Sequence, residues 1–242
     1  MESISQILAR ELGREQSHID NVIKLIDEGN TIPFIARYRK ELHGAMDDTT
    51  LRTLAERLEY LRGLQERRDT VKKSIEEQGK LTDELSAAID EAATLAALED
   101  IYRPYKPKRK TRASIARARG LQPLADATLK QDANFDPQTA ANDYLNEEVP
   151  DAAAALAGAQ DIIAETISDD AHCRAELRRY YHAFGMVKSV KAKDEDSVYT
   201  QYYDYTEPVA KIPGHRILAL DRGEREGFLK VSIAVELSLI HI

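Results

Sequence analysis

The stretch DTTLRTLAERLEYLRGLQERRDTVKKSIEEQ, Asp48 to Gln78, decides the fold class. Leu51, Leu54, Leu58, Leu61, Leu64, Val71 and Ile75 recur at intervals of three, four and seven, while charge fills the other faces. That spacing predicts an amphipathic helix with one buried stripe. Asp47 or Asp48 supplies the N-cap and Gly79 the stop. Some thirty residues make a rod of ~45 Å, which calls for an antiparallel partner. Leu81 to Leu98 answers it as a second, Ala-rich helix capped by Thr82, with Leu85, Ile89 and Leu95 inward.

Towards the N-terminus, Ser3 to Leu12 and His18 to Glu28 predict two short helices. Ile4, Ile7, Leu8 and Leu12 stripe the first, and Gly13 caps it. Ile19, Val22, Ile23 and Ile26 stripe the second, which Gly29-Asn30 ends. Two helices joined by a tight turn make residues 1–45 helix-turn-helix-like, although a plain αα-hairpin in a bundle has the same pattern. A DNA-reading element would need a third helix with basic and amide side chains facing a groove. GNTIPFIARYRKE, Gly29 to Glu41, follows: Thr31 can cap, Pro33 suits a first helical turn, and Phe34 and Ile35 are core candidates. Arg37, Arg39 and Lys40 surround Tyr38, a pattern that fits phosphate contact and Arg–carboxylate pairing equally.

Towards the C-terminus comes LEDIYRPYKPKRKTRASIARARGLQPLA, Leu98 to Ala125. From Ile101 onward it has no acid and eight bases: Arg103, Lys106, Lys108, Arg109, Lys110, Arg112, Arg117 and Arg119. The whole chain carries a formal charge of −8, so −16 is left on the remainder. Pro104 and Pro107 hold an extended path. Thr111 predicts the N-cap of a short helix through Arg119, anchored by Ile115 and ended by Gly120. Such a basic strap meets a polyanion or docks on the protein's own acids in Asp83–Asp100 and Glu147–Asp170. Docking is expected for at least half of its cations. Lys106, Lys108, Arg109, Lys110 and Arg112 are the candidate nucleic-acid contacts. Tyr102 and Tyr105 suit packing over helices better than base stacking.

Further helices are expected over Leu124–Leu129, Pro137–Leu145, Asp151–Ile167 and Ser168–Phe184. Lys188 to Asp194 has the texture of a charged loop, and a boundary is expected near residue 190. Beyond it the composition changes, with four tyrosines within Tyr199–Tyr205. Gly214 to Asp221 predicts a helix stopping at Gly223, and Phe228 to Val235 alternates as the one convincing strand. His215, Arg216, Arg222 and Arg225 could meet phosphate, but RGEREG can also pair its own charges, and internal pairing is expected. The sequence thus predicts a mainly α fold: a helical domain over 1–190, then a Tyr-rich linker and the start of a small α/β segment over 191–236 with one unfinished strand.

Composition narrows the function. Hydrophobic content of 43% and charged content of 31% suit a globular rather than a disordered chain. No apolar run nears the ~20 residues that span a bilayer, so no membrane partner is expected. MESISQILAREL lacks the basic and apolar regions of a signal peptide. Cys173 is the single cysteine, which excludes an internal disulfide or a thiolate zinc site and suits a reducing cytoplasm. His172 and His182 stand ten apart, not at a chelating spacing. GKLTDEL lacks the earlier glycine of a phosphate loop. No nucleophile elbow or Ser/His/Asp pattern stands out, and paired acids such as Asp47-Asp48, Glu147-Glu148 and Asp169-Asp170 point apart on a helix. No cofactor and no enzymatic activity are expected.

GNTIPFIARYRKE, the Leu98–Ala125 strap and KIPGHRILALDRGEREGFLKV, in that order, resemble the Tex family of bacterial transcription accessory proteins, from Met1 to about Glu236. That resemblance implies a helical N-terminal region of a nucleic-acid-binding protein several domains longer. The further domains are RNase-H-like (degenerate), helix-hairpin-helix and a C-terminal OB-fold that is the main RNA-binding part. It implies RNA polymerase and other transcription proteins as partners, no catalysis, and only weak RNA or DNA binding by this stretch. A protein-interaction module without nucleic-acid contact is the alternative. LSLIHI, Leu237 to Ile242, has no counterpart in the family and back-translates as CTG TCT CTT ATA CAC ATC, a transposon-end sequencing adapter. The expectation is that these residues are translated adapter and that the reading frame was truncated there.

Overall fold

A computed structural model describes residues 2–107, 110–195 and 197–235. The segment 237–242, read above as adapter, lies outside them. The fold is mainly α with a small three-stranded sheet near the C-terminus. Two compact units divide the chain, Met1–Pro107 and Lys108–Ile242. Among the described residues, no helix is long and apolar enough to cross a membrane.

The N-terminal unit is built around one long helix. It opens with α1 (Ile4–Leu12), α2 (Gln16–Asp27) and α3 (Ile32–Tyr38), which pack on the first half of α4 (Asp48–Glu76). A capping box between Ser3 and Gln6 starts α1, and Gly13, at φ 59°, ends it. Asp47 caps α4 by accepting from the Thr50 N–H at 2.7 Å. The apolar stripe of α4 is shared between two clusters. Leu51, Leu54, Leu58 and Leu61 join Leu8, Ile19, Val22 and Ile35. Leu64, Val71 and Ile75 instead join Ile89, Leu98 and Tyr102. The change of partner falls at Gly63, an exposed glycine in the helix interior. Arg62 makes a bidentate pair with Asp27 on one side of it (2.7 and 2.8 Å), and Arg67 pairs with Glu99 on the other (2.6 Å).

The Ala-rich partner is two helices, not one: α5 (Asp83–Glu91) and α6 (Leu95–Tyr102). Thr94 breaks the run, because its hydroxyl accepts from the Ala97 N–H at 3.2 Å and so starts a new helix. The Ala92 carbonyl is taken up by Arg68 Nη2 at 2.9 Å, and the Leu95 N–H by Tyr60 Oη at 3.1 Å. Side-chain partners for both groups remove the cost of the break. Leu95, expected inward, is exposed as a result.

In the C-terminal unit, α7 (Arg112–Ala118), α8 (Gln122–Leu129) and α9 (Pro137–Ala140) surround α10 (Ala152–Asp169). Gly158 lets α10 approach closely, since a Cβ there would lie 2.3 Å from Leu121 Cδ1 and 3.3 Å from Ala116 Cβ. Asp170 caps α11 (Ala171–Phe184) through the Cys173 N–H at 2.7 Å. Then come β1 (Met186–Lys191), β2 (Asp204–Pro208), α12 (Gly214–Arg225) and β3 (Leu229–Ala234). The strands form an antiparallel sheet in the order β2-β1-β3, with Val187 opposite both Glu207 and Ile233.

Three expectations are corrected here. Lys188 to Lys191 is strand rather than loop, and the last strand is not alone but paired along β1 from Met186–Ala234 to Lys191–Leu229. Strand β1 hides because it turns Ser189 inward and leaves Val190 exposed, the reverse of the usual alternation. Helix α12 also runs through Gly223, since that glycine faces the sheet: a Cβ would lie 2.6 Å from Leu229 Cδ1 and 3.1 Å from the Tyr199 ring. Gly227, at φ 76°, follows the helix instead.

Candidate nucleic-acid interface

The boundary between the two units falls inside the basic strap, so its two parts are described separately. In the N-terminal unit the strap leaves α6 through a single 3-10 turn, Arg103–Tyr105. Its aromatics are spent on packing. Tyr102 is buried, with its hydroxyl 3.0 Å from Ser74 Oγ and Arg67 lying 5.4 Å above its ring. Tyr105 packs against the same cluster, and its carbonyl accepts from Gln78 Nε2 at 3.0 Å. Lys106 closes the turn through its backbone N–H, 3.1 Å from the Tyr102 carbonyl, and is exposed.

In the C-terminal unit the strap becomes α7 and turns its charge onto α10. Thr111 forms a capping box with Ser114, and its hydroxyl donates to Glu165 Oε1 at 3.0 Å. Arg117 Nη1 reaches Glu165 Oε2 at 2.5 Å while its Nε donates to Gln122 at 2.9 Å. Arg119 lies 3.4 Å from Glu148. Arg112 stands 3.6 Å from Asp161 but is 87% exposed, so that pairing is loose and solvent-screened. All three acids fall within the 147–170 window expected to receive the strap. Of the five candidate contacts, Lys106, Lys110 and Arg112 are exposed, whereas Lys108 and Arg109 lie outside the described residues.

The Tyr-rich segment keeps its charges internal. Arg216 Nη1 donates to Glu207 Oε1 at 2.9 Å, and the Tyr205 hydroxyl binds the same carboxylate. Arg222 pairs with Glu226 at 2.8 Å and Arg225 with Asp221 at 2.9 Å. The Tyr205 and Arg216 donors hold Glu207 below the ordinary carboxylate range, as Arg222 and Tyr199 do for Glu226. Burial and the Glu226 carboxylate push Tyr199 up. These three arginines pair with acids of their own segment, Arg222 and Arg225 in exposed i, i+4 pairs.

A second basic surface is formed by α3 and α4. Arg37 and Lys40 line an open cleft of about 500 Å³ together with Pro33, Ala36, Asp48 and Arg52. Arg39 lies 5.2 Å over the Phe34 ring rather than on a carboxylate. Arg52 escapes notice in the sequence because it sits on the polar face of α4. Its one signal is the i, i+4 spacing from Asp48, whose Oδ2 accepts from Arg52 Nε at 2.7 Å. Among the described residues, no group of three or more His, Cys, Asp and Glu side chains is arranged to hold a metal ion.

Two family models match the chain: Tex-like protein N-terminal domain over residues 2–76, and Tex central region-like over residues 132–238. The chain is 49% identical over 234 residues to transcriptional accessory protein Tex of Neisseria gonorrhoeae, spanning 96% of this chain and 31% of that protein. Identity to protein tex of Bordetella pertussis is 48% over 237 residues, 96% of this chain and 30% of that one. Human S1 RNA-binding domain-containing protein 1 is 29% identical over 243 residues, 95% of this chain and 24% of its own length. The chain thus spans about a third of the length of the bacterial relatives it matches.

Proposed function

This chain belongs to the Tex family, and on that premise we propose that it is the helical scaffold of a transcription accessory protein that associates with nucleic acid. The three opening helices form its helix-turn-helix-like start. Direct contact by this chain is weak and runs through Lys106, Lys110 and Arg112, and most of the affinity belongs to the remaining length seen in the relatives. One observation carries the proposal: in a chain of net charge −8, Lys106 and Lys110 stay exposed while Arg117 and Arg119 turn onto acids. The name of the human relative, which speaks of an S1 RNA-binding domain, supports nucleic acid as the partner class. Transcription proteins such as RNA polymerase are the second partner class. The proposal includes a cytoplasmic location and no catalysis.

Salt-titrated binding of RNA and DNA, comparing this chain with a full-length relative, tests the proposal. Weak binding by the chain, steeply lost between ~50 and ~200 mM salt, is expected. A flat salt profile would count against phosphate contact. The Glu165 hub favours a second role beside it: Thr111 and Arg117 converge on one carboxylate of α10, as expected of an architectural clamp. Neutralising Arg117 should then lower the melting temperature, whereas neutralising Lys106 and Lys110 should weaken binding and leave stability unchanged.

A further inference from the structure

The cleft between α3 and α4 lies wholly within the N-terminal unit, and its chemistry is that of an anion site. Three of its six lining residues are cations (Arg37, Lys40 and Arg52) and one, Asp48, is an acid. Its volume of about 500 Å³ lies inside the ~300–1,000 Å³ range of small-molecule sites. Asp48 takes the Nε–H of Arg52. Arg37 and Lys40 are exposed and have no acidic partner among the described residues. Residues 33, 36 and 37 share one face of α3 at i, i+3 and i+4, and Lys40 joins them from the turn that follows the helix. Tyr38 lies one position round from Arg37. It is 60% exposed, and its ring stands 5.2 Å from Phe34.

We propose that this cleft binds a phosphodiester of single-stranded nucleic acid, with Arg37, Lys40 and Arg52 around the phosphate and Tyr38 stacked on a neighbouring base. The proposal rests on the nucleic-acid association argued above and adds a second contact surface, separate from the strap. A large aromatic left in water beside guanidinium and ammonium groups is the arrangement that single strands use, since every unstacked base offers a π-face. A duplex keeps its bases stacked and has no use for the ring. An acidic peptide would engage the cations but not Tyr38.

The test is fluorescence anisotropy of the whole chain with labelled oligo-dT and oligo-U of about 12 nucleotides, within the site sizes of single-strand binders. The Arg37→Gln/Lys40→Gln variant should bind about tenfold more weakly at low salt, with the log–log salt slope reduced by about 1.4 for two lost phosphate contacts. Tyr38→Ala should weaken binding at least about fivefold, the low end of base stacking, with an unchanged slope. All three side chains are exposed, and melting curves matching the parent confirm that the variants fold. Unchanged affinity in the cleft variants, with loss in Lys106→Gln/Lys110→Gln, overturns the cleft and leaves the proposed function standing. Failure of the parent chain to bind either oligonucleotide at low salt overturns the cleft together with direct contact by this chain. Polyglutamate competing as well as the oligonucleotides overturns the assignment to a nucleic-acid strand.

Discussion

Replacing Glu165 by alanine tests whether the strap's helix is held in place by its own charge. The carboxylate is 17% exposed and accepts from Thr111 Oγ1 and Arg117 Nη1. The Thr111 bond, a neutral donor on a charged acceptor, contributes about 1 kcal/mol. Arg117 is 37% exposed, so its ion pair is discounted to the surface value of about 0.5 kcal/mol. Glu165→Ala should therefore cost about 1.5 kcal/mol, which lowers the melting temperature by about 4 °C for a chain of this size. Thermal unfolding followed by circular dichroism reads the change, and a double-mutant cycle with Arg117→Ala should return a coupling of about 0.5 kcal/mol. The same variant frees Arg117, so oligonucleotide affinity should hold or rise. A melting temperature within about 1 °C of the parent would refute the clamp, and a loss of nucleic-acid binding would refute the separation of docked from exposed cations.

Gly223→Ala should destabilise the sheet unit by about 1–3 kcal/mol through overpacking against Leu229 and the Tyr199 ring, read as a lower urea midpoint. Thr94→Ala should cost about 1 kcal/mol by removing the α6 cap, with oligonucleotide affinity unchanged. His43 is buried (1% exposed), and neither ring nitrogen has a hydrogen-bond partner among the described residues. His43→Leu should consequently raise stability by about 1 kcal/mol, seen as a higher melting temperature. Glu226 and Glu207 are held below their ordinary value of 4.5 in the folded chain. Their contribution is thus present above that pH and is lost as pH falls through the depressed folded values. Urea midpoints of Glu226→Gln and the parent should differ at neutral pH and converge in acid, and a constant difference would contradict the sign.

The helices were legible where the chain carries caps. Asp47, Thr82 and Thr111 each accept the backbone N–H expected of them, and Ser3, read as the first helical residue, is instead the N-cap of α1. Thr94 gives no such signal, because the alanines around it sustain a helical pattern that the cap interrupts. The sheet was mostly illegible, because two of its strands invert the usual polarity. Ser189 is buried in β1, and in β2 Glu207 sits half-buried beneath Arg216 while Thr206 faces water. A buried serine and a half-buried, Arg-paired glutamate at inward positions defeat any period-two reading. At the candidate site, Glu148, Asp161 and Glu165 fall in one of the two acidic windows that the sequence offers, Asp83–Asp100 and Glu147–Asp170. It did not reveal Arg52, since the cleft depends on how two helices meet rather than on any run of residues.

Gly63 gives α4 a fuse. Helix propagation through a glycine is about 1 kcal/mol less favourable than through alanine, and here the weak link coincides with the seam between the two hydrophobic clusters. Stress applied to one cluster has a cheap place to stop before it reaches the other. The two ends of the N-terminal unit can therefore open as separate cooperative blocks, and amide exchange should show two protection levels along a single continuous helix. Gly63→Ala would weld the blocks together and make the unit melt as one.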